Sequence, residues 1–147
     1  MRGKLATAGI AVLVVLAAAI ALNERVPQEE GGEDRDSSLV SERVRIREFW
    51  QTYRGATAQR IAGRREEAAA EYRRALELNP RHEDALYYYA NMQLELGAFE
   101  EAEGALRRLV EVNPVSARAH SRLGILYSCP ETGDLFNVPA AEREFLR

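Results

Sequence analysis

Hydrophobic and polar positions repeat with a period of 34 residues from about residue 49 onward. The markers of this period are Asn79-Pro80 and Asn113-Pro114, Gly63 and Gly97, and the small residues Ala56, Ala90 and Gly124. Between the markers, apolar residues recur at the spacing of one helix face. A period of this length with helical spacing predicts stacked helical hairpins, because each hairpin buries its apolar face only against its neighbours.

The pattern also predicts where each helix begins and ends. We expect a first helix from Ser38 or Ser41, either of which can cap it, to about Ala62. Its apolar face would hold Val40, Val44, Phe49, Trp50, Tyr53, Ala56 and Ile61. The other predicted helices of the two complete hairpins are Arg64–Leu78, about His82–Leu96 and Phe99–Val112. Glycine ends the first helix of each hairpin, and an Asn-Pro pair ends the second, because proline cannot continue a helix.

A third unit begins on schedule but departs from the period. Its first helix is predicted at Ala117–Ser128, after which Cys129-Pro130 ends the helix and a turn-rich insertion follows. A last helix is predicted from Pro139, with Ala141 and Phe145 on its inner face. The predicted fold is therefore all-α over residues 39–147. Its repeat units lie at about 49–82, 83–116 and an incomplete 117–147, which has an inserted loop near 129–138.

These units resemble tetratricopeptide repeats. The resemblance rests on Ala56, Gly63, Ala68, Tyr72, Ala75 and Pro80 in the first unit, on Tyr89, Ala90, Gly97, Ala102 and Pro114 in the second, and on Leu123, Gly124 and Tyr127 in the third. It implies that the hairpins stack as a right-handed solenoid, whose first helices line a concave groove for a peptide or partner protein. By position, the groove would be lined by Trp50, Tyr53, Thr57, Arg60, Asp84, Tyr87, Asn91, Glu95, Arg118, Ser121 and Ile125.

The groove residues depart from one binding mode of that family. Some members clamp a terminal carboxylate with Lys, Arg and Asn at these positions. Here Asn91 is in place, but Tyr53 and Tyr87 stand where lysines would be needed. We therefore expect an aromatic groove that favours extended or apolar segments. The alternative is that Trp50, Tyr53 and Tyr87 pack against neighbouring elements of the chain.

The N-terminal part of the chain has a different composition. Residues 1–4 form a basic stub, and residues 5–22 are an apolar run that is just long enough to span a bilayer. Residues 23–38 are rich in acidic residues, with Pro27 and Gly31-Gly32, and are predicted to be a flexible linker. The positive-inside tendency places the stub in the cytoplasm and the repeats outside. We interpret the run as a signal anchor, and a signal peptide cleaved after Ala21 is the alternative.

Charge and candidate chemistry argue for a binding protein rather than an enzyme. The net charge is −3, so no nucleic-acid partner is expected. His82 and His120 are far apart in the pattern, and we expect no metal site and no cofactor. His120 corresponds to Leu86 and is expected to pack between hairpins. Cys129 has no nearby histidine to activate it, so we expect no catalytic residue.

These features lead to one functional hypothesis and several alternatives. The leading hypothesis is a membrane-tethered scaffold on the outer side of a bacterial cytoplasmic membrane, which binds an unidentified protein or peptide during assembly of an exported complex. A cleaved periplasmic or secreted scaffold is one alternative. The short last helix suggests another alternative, in which the chain is a fragment of a longer protein whose remaining part holds an enzymatic domain. If Arg147 is instead a natural end, a partner or a second copy could cover the incomplete third repeat.

Overall fold

The computed structural model describes the backbone of residues 32–147 and the burial of residues 37–147. These residues form six α-helices and one 3-10 helix, and no strand occurs among them. The helices are α1 (Gly32–Ile61), α2 (Arg65–Leu78), α3 (Glu83–Glu95), α4 (Phe99–Val112), α5 (Ala117–Ser128) and α6 (Val138–Phe145), with the 3-10 helix at Pro130–Leu135. The all-α prediction is confirmed for this part of the chain, and α4 and α5 occupy the predicted ranges.

Helix α1 differs from the prediction at its beginning. It begins at Gly32 rather than at Ser38 or Ser41, so residues 32–38 of the predicted flexible linker are helical. A physical reason is that no proline or glycine lies between residues 33 and 54 to end the helix. The predicted apolar face is also only partly buried. Phe49 and Ala56 are buried, whereas Val40, Val44 and Ile61 are exposed.

The turns of the two complete hairpins repeat with nearly the same geometry. Gly63 and Gly97 have φ values of 74° and 75°, a left-handed conformation that favours glycine. Asn79 and Asn113 end α2 and α4 with φ values of −139° and −138°. The 34-residue period of the sequence is thus a period of the backbone as well.

The core of the repeats is continuous through the hairpins. Three clusters of buried side chains follow one another, and Tyr89 packs against all of them although it is itself only half-buried. Among the predicted packing positions, the structure buries Ala56, Ala68, Tyr72, Ala75, Ala90, Ala102, Leu123, Gly124 and Tyr127. Pro80 and Pro114 lie exposed in the turns between hairpins. The small residues sit where two helices meet, since only short side chains allow close approach.

The third unit is closed by the inserted loop and α6. The buried Thr132 bonds the Leu126 and Cys129 carbonyl oxygens at 3.1 and 2.6 Å. The Asn137 amide then donates to the Tyr127 carbonyl at 2.8 Å, and the Asn137 side chain caps α6 by accepting from Ala140. The insertion therefore binds the free carbonyls at the end of α5.

The predictions for the N-terminus concern residues beyond the described ones. The basic stub 1–4, the membrane segment 5–22 and linker residues 23–31 all lie outside the described part. Within the part that is described, no helix is both long and apolar enough to cross a membrane. Residues 40–147 form one compact unit. The right-handed sense of the solenoid stays a prediction.

Candidate partner-binding groove

The first helices of the three hairpins meet along one cleft. It has a volume of about 290 Å³ and is lined by side chains from α1, α3 and α5. The lining residues are Arg60, Tyr87, Tyr88, Asn91, Met92, Leu94, Glu95 and Arg122. Because α1, α3 and α5 are successive first helices, this cleft lies where the repeat pattern predicts a groove. We call it the Arg60–Arg122 cleft.

At its α1 wall, Arg60 rests on two tyrosines. Its guanidinium carbon lies 4.5 Å from the centre of the Tyr88 ring, a cation–π distance. Its Nε donates to the hydroxyl of the fully buried Tyr72 over 3.4 Å, and Thr57 bonds the same hydroxyl at 3.1 Å. The hydrogen bond to Tyr72 raises the pKa of Arg60 above its usual value. Arg60 is thus fixed in place as a permanent cation.

At the α5 wall, Arg122 reaches back to α3. Burial raises the pKa of Tyr87, but hydrogen bonds from Arg122 and Asn91 outweigh it and hold that pKa below its usual value. Asn91 also donates from its side chain to the Tyr87 carbonyl at 3.0 Å. Arg122 therefore lies near Tyr87 and lines the same cleft as Arg60.

Beyond this cleft, toward the beginning of α3 and α5, the charges are paired. Arg118 contacts Asp84 at 2.6 Å and lies within 4.0 Å of Glu83. Its guanidinium carbon also lies 4.8 Å from the centre of the Tyr87 ring. Two carboxylates thus surround a single arginine, so this end of the groove is neutral to acidic.

An aromatic cluster lies near the same end, on α1. Trp50, Phe49 and Tyr53 surround the His82 ring, with centroid distances of 4.7 to 5.6 Å. Burial, with a smaller contribution from the negative charge of Asp84, raises the pKa of Tyr53 to about 12. Trp50 also borders a separate cleft of about 550 Å³, formed by α1 and the Asn79-Pro80 turn. Tyr53 is therefore mainly a packing residue, and Trp50 does not line the Arg60–Arg122 cleft.

The structure separates the eleven predicted groove residues into three sets. Arg60, Tyr87, Asn91 and Glu95 line the Arg60–Arg122 cleft. Asp84 and Arg118 form an ion pair, while Tyr53 and Thr57 contact Tyr72. Trp50, Ser121 and Ile125 are exposed and do not line that cleft.

Arg122 and Tyr88 line the cleft but were not among the predicted groove residues. They are 34 residues apart and so occupy the same position in successive repeats. Their shared repeat position could have identified both residues from the sequence.

His120 and Cys129, which were considered for chemistry, each make a hydrogen bond to a carboxylate. His120 is buried and bonds Glu144 at 2.6 Å and the Pro114 carbonyl at 2.8 Å. The Cys129 thiol donates to Glu131, which raises the pKa of Cys129 and lowers its thiolate fraction. Among the described residues, no group of three or more His, Cys, Asp or Glu side chains could hold a metal ion.

Comparison with known proteins points to the same repeat. Residues 60–123 match the sequence model of the tetratricopeptide repeat. The match supports the tetratricopeptide repeat family and begins and ends within the first helices that form the groove. Tetratricopeptide repeats generally bind protein partners and are typically not enzymes. No curated protein matches the chain.

Proposed function

We propose that this chain is a tetratricopeptide-repeat scaffold that binds a segment of a partner protein in its groove. One observation carries the proposal: three successive first helices line a single cleft with half-exposed aromatic, polar and cationic side chains. Such side chains bind an extended segment through ring contacts and hydrogen bonds at little entropic cost. A cleft of about 290 Å³ is small for a cofactor or drug-sized ligand, but it can hold one or two side chains.

Photo-crosslinking of the full chain tests whether the cleft is the binding surface. A photo-reactive residue in place of Asn91, which lines the cleft, should form a discrete adduct with a partner in cells. The same residue in place of Arg73, which is exposed on α2 and does not line the cleft, is the matched control. Equal labelling from both positions, or labelling from Arg73 alone, would contradict the proposal.

A substitution on the cleft wall gives a second test. Tyr87→Ala should weaken capture of the cross-linked partner and leave helix content nearly unchanged, because Tyr87 is only half-buried. Tyr53→Ala is a poorer probe, since Tyr53 contacts the rings of Phe49, Trp50, Tyr72 and His82 and its loss also removes packing. Far-UV circular dichroism of Tyr87→Ala separates loss of binding from loss of folding.

We also propose that the scaffold is tethered to the outer face of a bacterial cytoplasmic membrane. The support is the sequence: a basic stub, an apolar run at 5–22 and an acidic stretch after it. A reporter that is active only in the periplasm, fused after Arg147, should be active. An inactive periplasmic reporter together with an active cytoplasmic one would overturn this topology. N-terminal sequencing of the mature protein separates a retained anchor from cleavage after Ala21.

The third unit suggests a second interaction, with another copy of the chain. Phe136, Val138, Phe145 and Leu146 are exposed there, at fractions of 45%, 47%, 55% and 87%. Light scattering of the purified chain should then give a mass above 16.5 kDa, after correction for bound detergent. Val138→Ser with Leu146→Ser should lower that mass, whereas Val115→Ser, at an exposed turn, should not. A monomeric wild-type chain would overturn self-association.

A further inference from the structure

Helix α6 is held in the third unit by few apolar contacts. It has eight residues and buries only Ala141, and the Phe145 ring that contacts α5 is 55% exposed. A helix this short is not stable by itself in water, so α6 depends on its contacts with the rest of the unit. Segments with few buried apolar contacts open at a lower free energy than the protein as a whole. Local opening of α6 therefore costs less than unfolding of the repeats.

A pair of side chains connects α6 to α5. His120 on α5 is only 2% exposed, and its Nδ1 lies 2.6 Å from the Glu144 carboxylate of α6. Its Nε2 lies 2.8 Å from the Pro114 carbonyl oxygen, in the turn before α5. A neutral imidazole has one N–H, so only the protonated ring can donate to both acceptors at once. The closed position of α6 is thus the one that a charged His120 stabilises.

Loss of the proton from His120 weakens this arrangement in either neutral tautomer. If Nδ1 loses its hydrogen, a lone pair faces the Glu144 carboxylate. If Nε2 loses its hydrogen, the Pro114 carbonyl has no donor from the ring. In both cases Glu144, which is half-buried, loses the positive charge that compensated its own. The pair therefore stabilises α6 fully only while His120 is protonated.

The groups around His120 give the direction of its pH dependence. Hydrogen bonds to the Pro114 carbonyl and to Glu144 raise the pKa of His120, whereas burial and the charge of Arg147 lower it. The buried side chains of the cluster around the preceding residue do not titrate: Leu76, Ala85, Leu86, Leu109 and Ala119. The stabilisation of α6 is therefore complete below the unfolded pKa of about 6.5 and is lost as pH rises through the folded value.

We propose that His120 and Glu144 form a pH-sensitive switch, which keeps α6 closed on α5 at acidic pH and lets it open as pH rises. Opening exposes the side of α5 that holds Leu123 and Tyr127, which share a buried cluster with Ala141. It also removes one of the two α-helices between which α5 packs, and α5 carries Arg122 of the Arg60–Arg122 cleft. The inference goes beyond the proposed function, because it concerns α5 and α6 whether or not a partner binds.

Hydrogen exchange of the full chain, purified in a non-ionic detergent, tests the switch. Exchange is followed by mass spectrometry at pH 6 and pH 8, and each rate is divided into that of the unfolded chain at the same pH to give a protection factor. Protection of residues 138–146 should fall about threefold at pH 8, the size expected for an ion pair with a partly exposed partner. Protection of α2 should stay the same. The midpoint of the change should coincide with the titration of the His120 ring, measured by NMR.

Three variants relate the effect to this pair. His120→Leu/Glu144→Ala removes both titrating groups, and its α6 should have the same protection at both pH values. Glu144→Gln keeps an acceptor for the ring without the charge, so it should lose most of the pH dependence even if the double variant does not fold. His82→Asn removes the other histidine of the chain and is the matched control, which should behave as the wild type does. Circular dichroism shows whether each variant is folded.

Each other outcome overturns the switch. Equal protection of α6 at pH 6 and pH 8 in the wild type would do so, as would a midpoint that differs from the His120 titration. A loss that persists in Glu144→Gln and in the double variant would assign the pH effect to another group. A loss of protection that α2 shares would show that the repeats unfold together and that α6 does not open separately.

Discussion

The second and third hairpins differ at two equivalent positions. His120 of the third hairpin corresponds to Leu86 of the second, and Glu144 corresponds to Ala105 once the longer loop of the third unit is allowed for. All except Glu144 are buried, and Glu144 is half-buried. His120 has an acceptor at each ring nitrogen, the Glu144 carboxylate and the Pro114 carbonyl. A neutral imidazole can donate from only one nitrogen, so this arrangement favours the protonated ring. These two equivalent positions are thus apolar in one repeat and ionic in the next.

The difference follows from the length and the buried apolar surface of the second helix in each hairpin. In the second hairpin, α4 has 14 residues and packs between α3 and α5. In the third, α6 has only eight residues and buries a single alanine, Ala141. A short helix with little apolar contact needs directional bonds to hold it, and the pair between His120 and Glu144 supplies one. Apolar packing therefore holds the second helix in one repeat, and an ion pair helps to hold it in the next.

The largest expected effect comes from breaking the ion pair on one side. His120→Leu leaves Glu144 and the Pro114 carbonyl without their donor, and should lower the free energy of unfolding by about 3 kcal/mol. His120→Leu combined with Glu144→Ala restores the residue pair of the second hairpin, and should return stability to within about 1 kcal/mol of the wild type. Urea denaturation of the full chain measures both. A double variant as unstable as the single one would contradict the equivalence of the two sites.

Overpacking should destabilise the regular hairpin less. Ala90 is fully buried in a cluster with Leu106 and Tyr127, so Ala90→Leu should cost about 2 kcal/mol. The control is Gly104→Leu on α4, where an added Cβ meets no atom within 4 Å. That substitution should cost little or stabilise, since glycine is a poor helix residue. If both substitutions lowered the free energy of unfolding by similar amounts, close contact between helices would not be the reason for a small side chain at Ala90.

A smaller effect is expected at Gly124, the position equivalent to Ala90. A Cβ built there lies 2.6 Å from Cε1 of Phe145, a ring that is 55% exposed. In the wild type, Gly124→Ala should stabilise the helix through its higher helix propensity, but this gain is offset because the new Cβ displaces the Phe145 ring. In a Phe145→Ala background the same substitution should stabilise by about 0.5–1 kcal/mol, because only the gain remains. The four urea-denaturation curves form a double-mutant cycle, and additive values would show that ring and backbone do not interact.

The smallest expected effect is in the pH dependence of stability, to which the two histidines contribute with opposite signs. The hydrogen bonds to Pro114 and Glu144 raise the pKa of His120 against the opposing effects of burial and the charge of Arg147. Its contribution to stability is therefore complete below the unfolded pKa of about 6.5 and is lost as pH rises through the folded value.

His82 behaves in the opposite way. Burial and the charge of Arg118 lower the pKa of His82, although Asp84 and Glu83 oppose the shift. Its Nδ1 accepts from the Ala85 amide at 3.2 Å as the cap of α3, which requires the unprotonated nitrogen. Its contribution is present above the unfolded pKa and is lost as pH falls through the folded value.

Thermal unfolding between pH 5 and pH 8 measures both contributions. His82→Asn keeps a capping oxygen that does not titrate, so its stability should no longer fall toward pH 5. The stability of His120→Leu/Glu144→Ala should no longer fall toward pH 8. The same pH profile in all three proteins would contradict the assigned protonation states.

Much of the fold was predictable because its determinants are local. Glycine in a left-handed turn and proline after a helix act through their own backbone, so positions such as Gly63 and Pro80 could be interpreted without tertiary contacts. The beginning of α1 could not be predicted from composition, since an acidic stretch suits either a linker or a solvated helix. The repeat positions predicted that the first helices would lie together, but they did not predict which side chains line the cleft between them. Trp50 turns to another cleft, and Arg122 enters this one.

By itself, the sequence determined the 34-residue period, the helical hairpins and the small residues at their contacts, because these follow from spacing and backbone preference. Only the tertiary structure decided which charges are neutralised. Arg118 and Arg122 are one helical turn apart on α5, yet Arg118 contacts Asp84, while Arg122 lies near Tyr87 and lines the same cleft as Arg60. Their partners come from other helices, more than 30 residues away, and such pairing depends on packing distance and not on position along the chain.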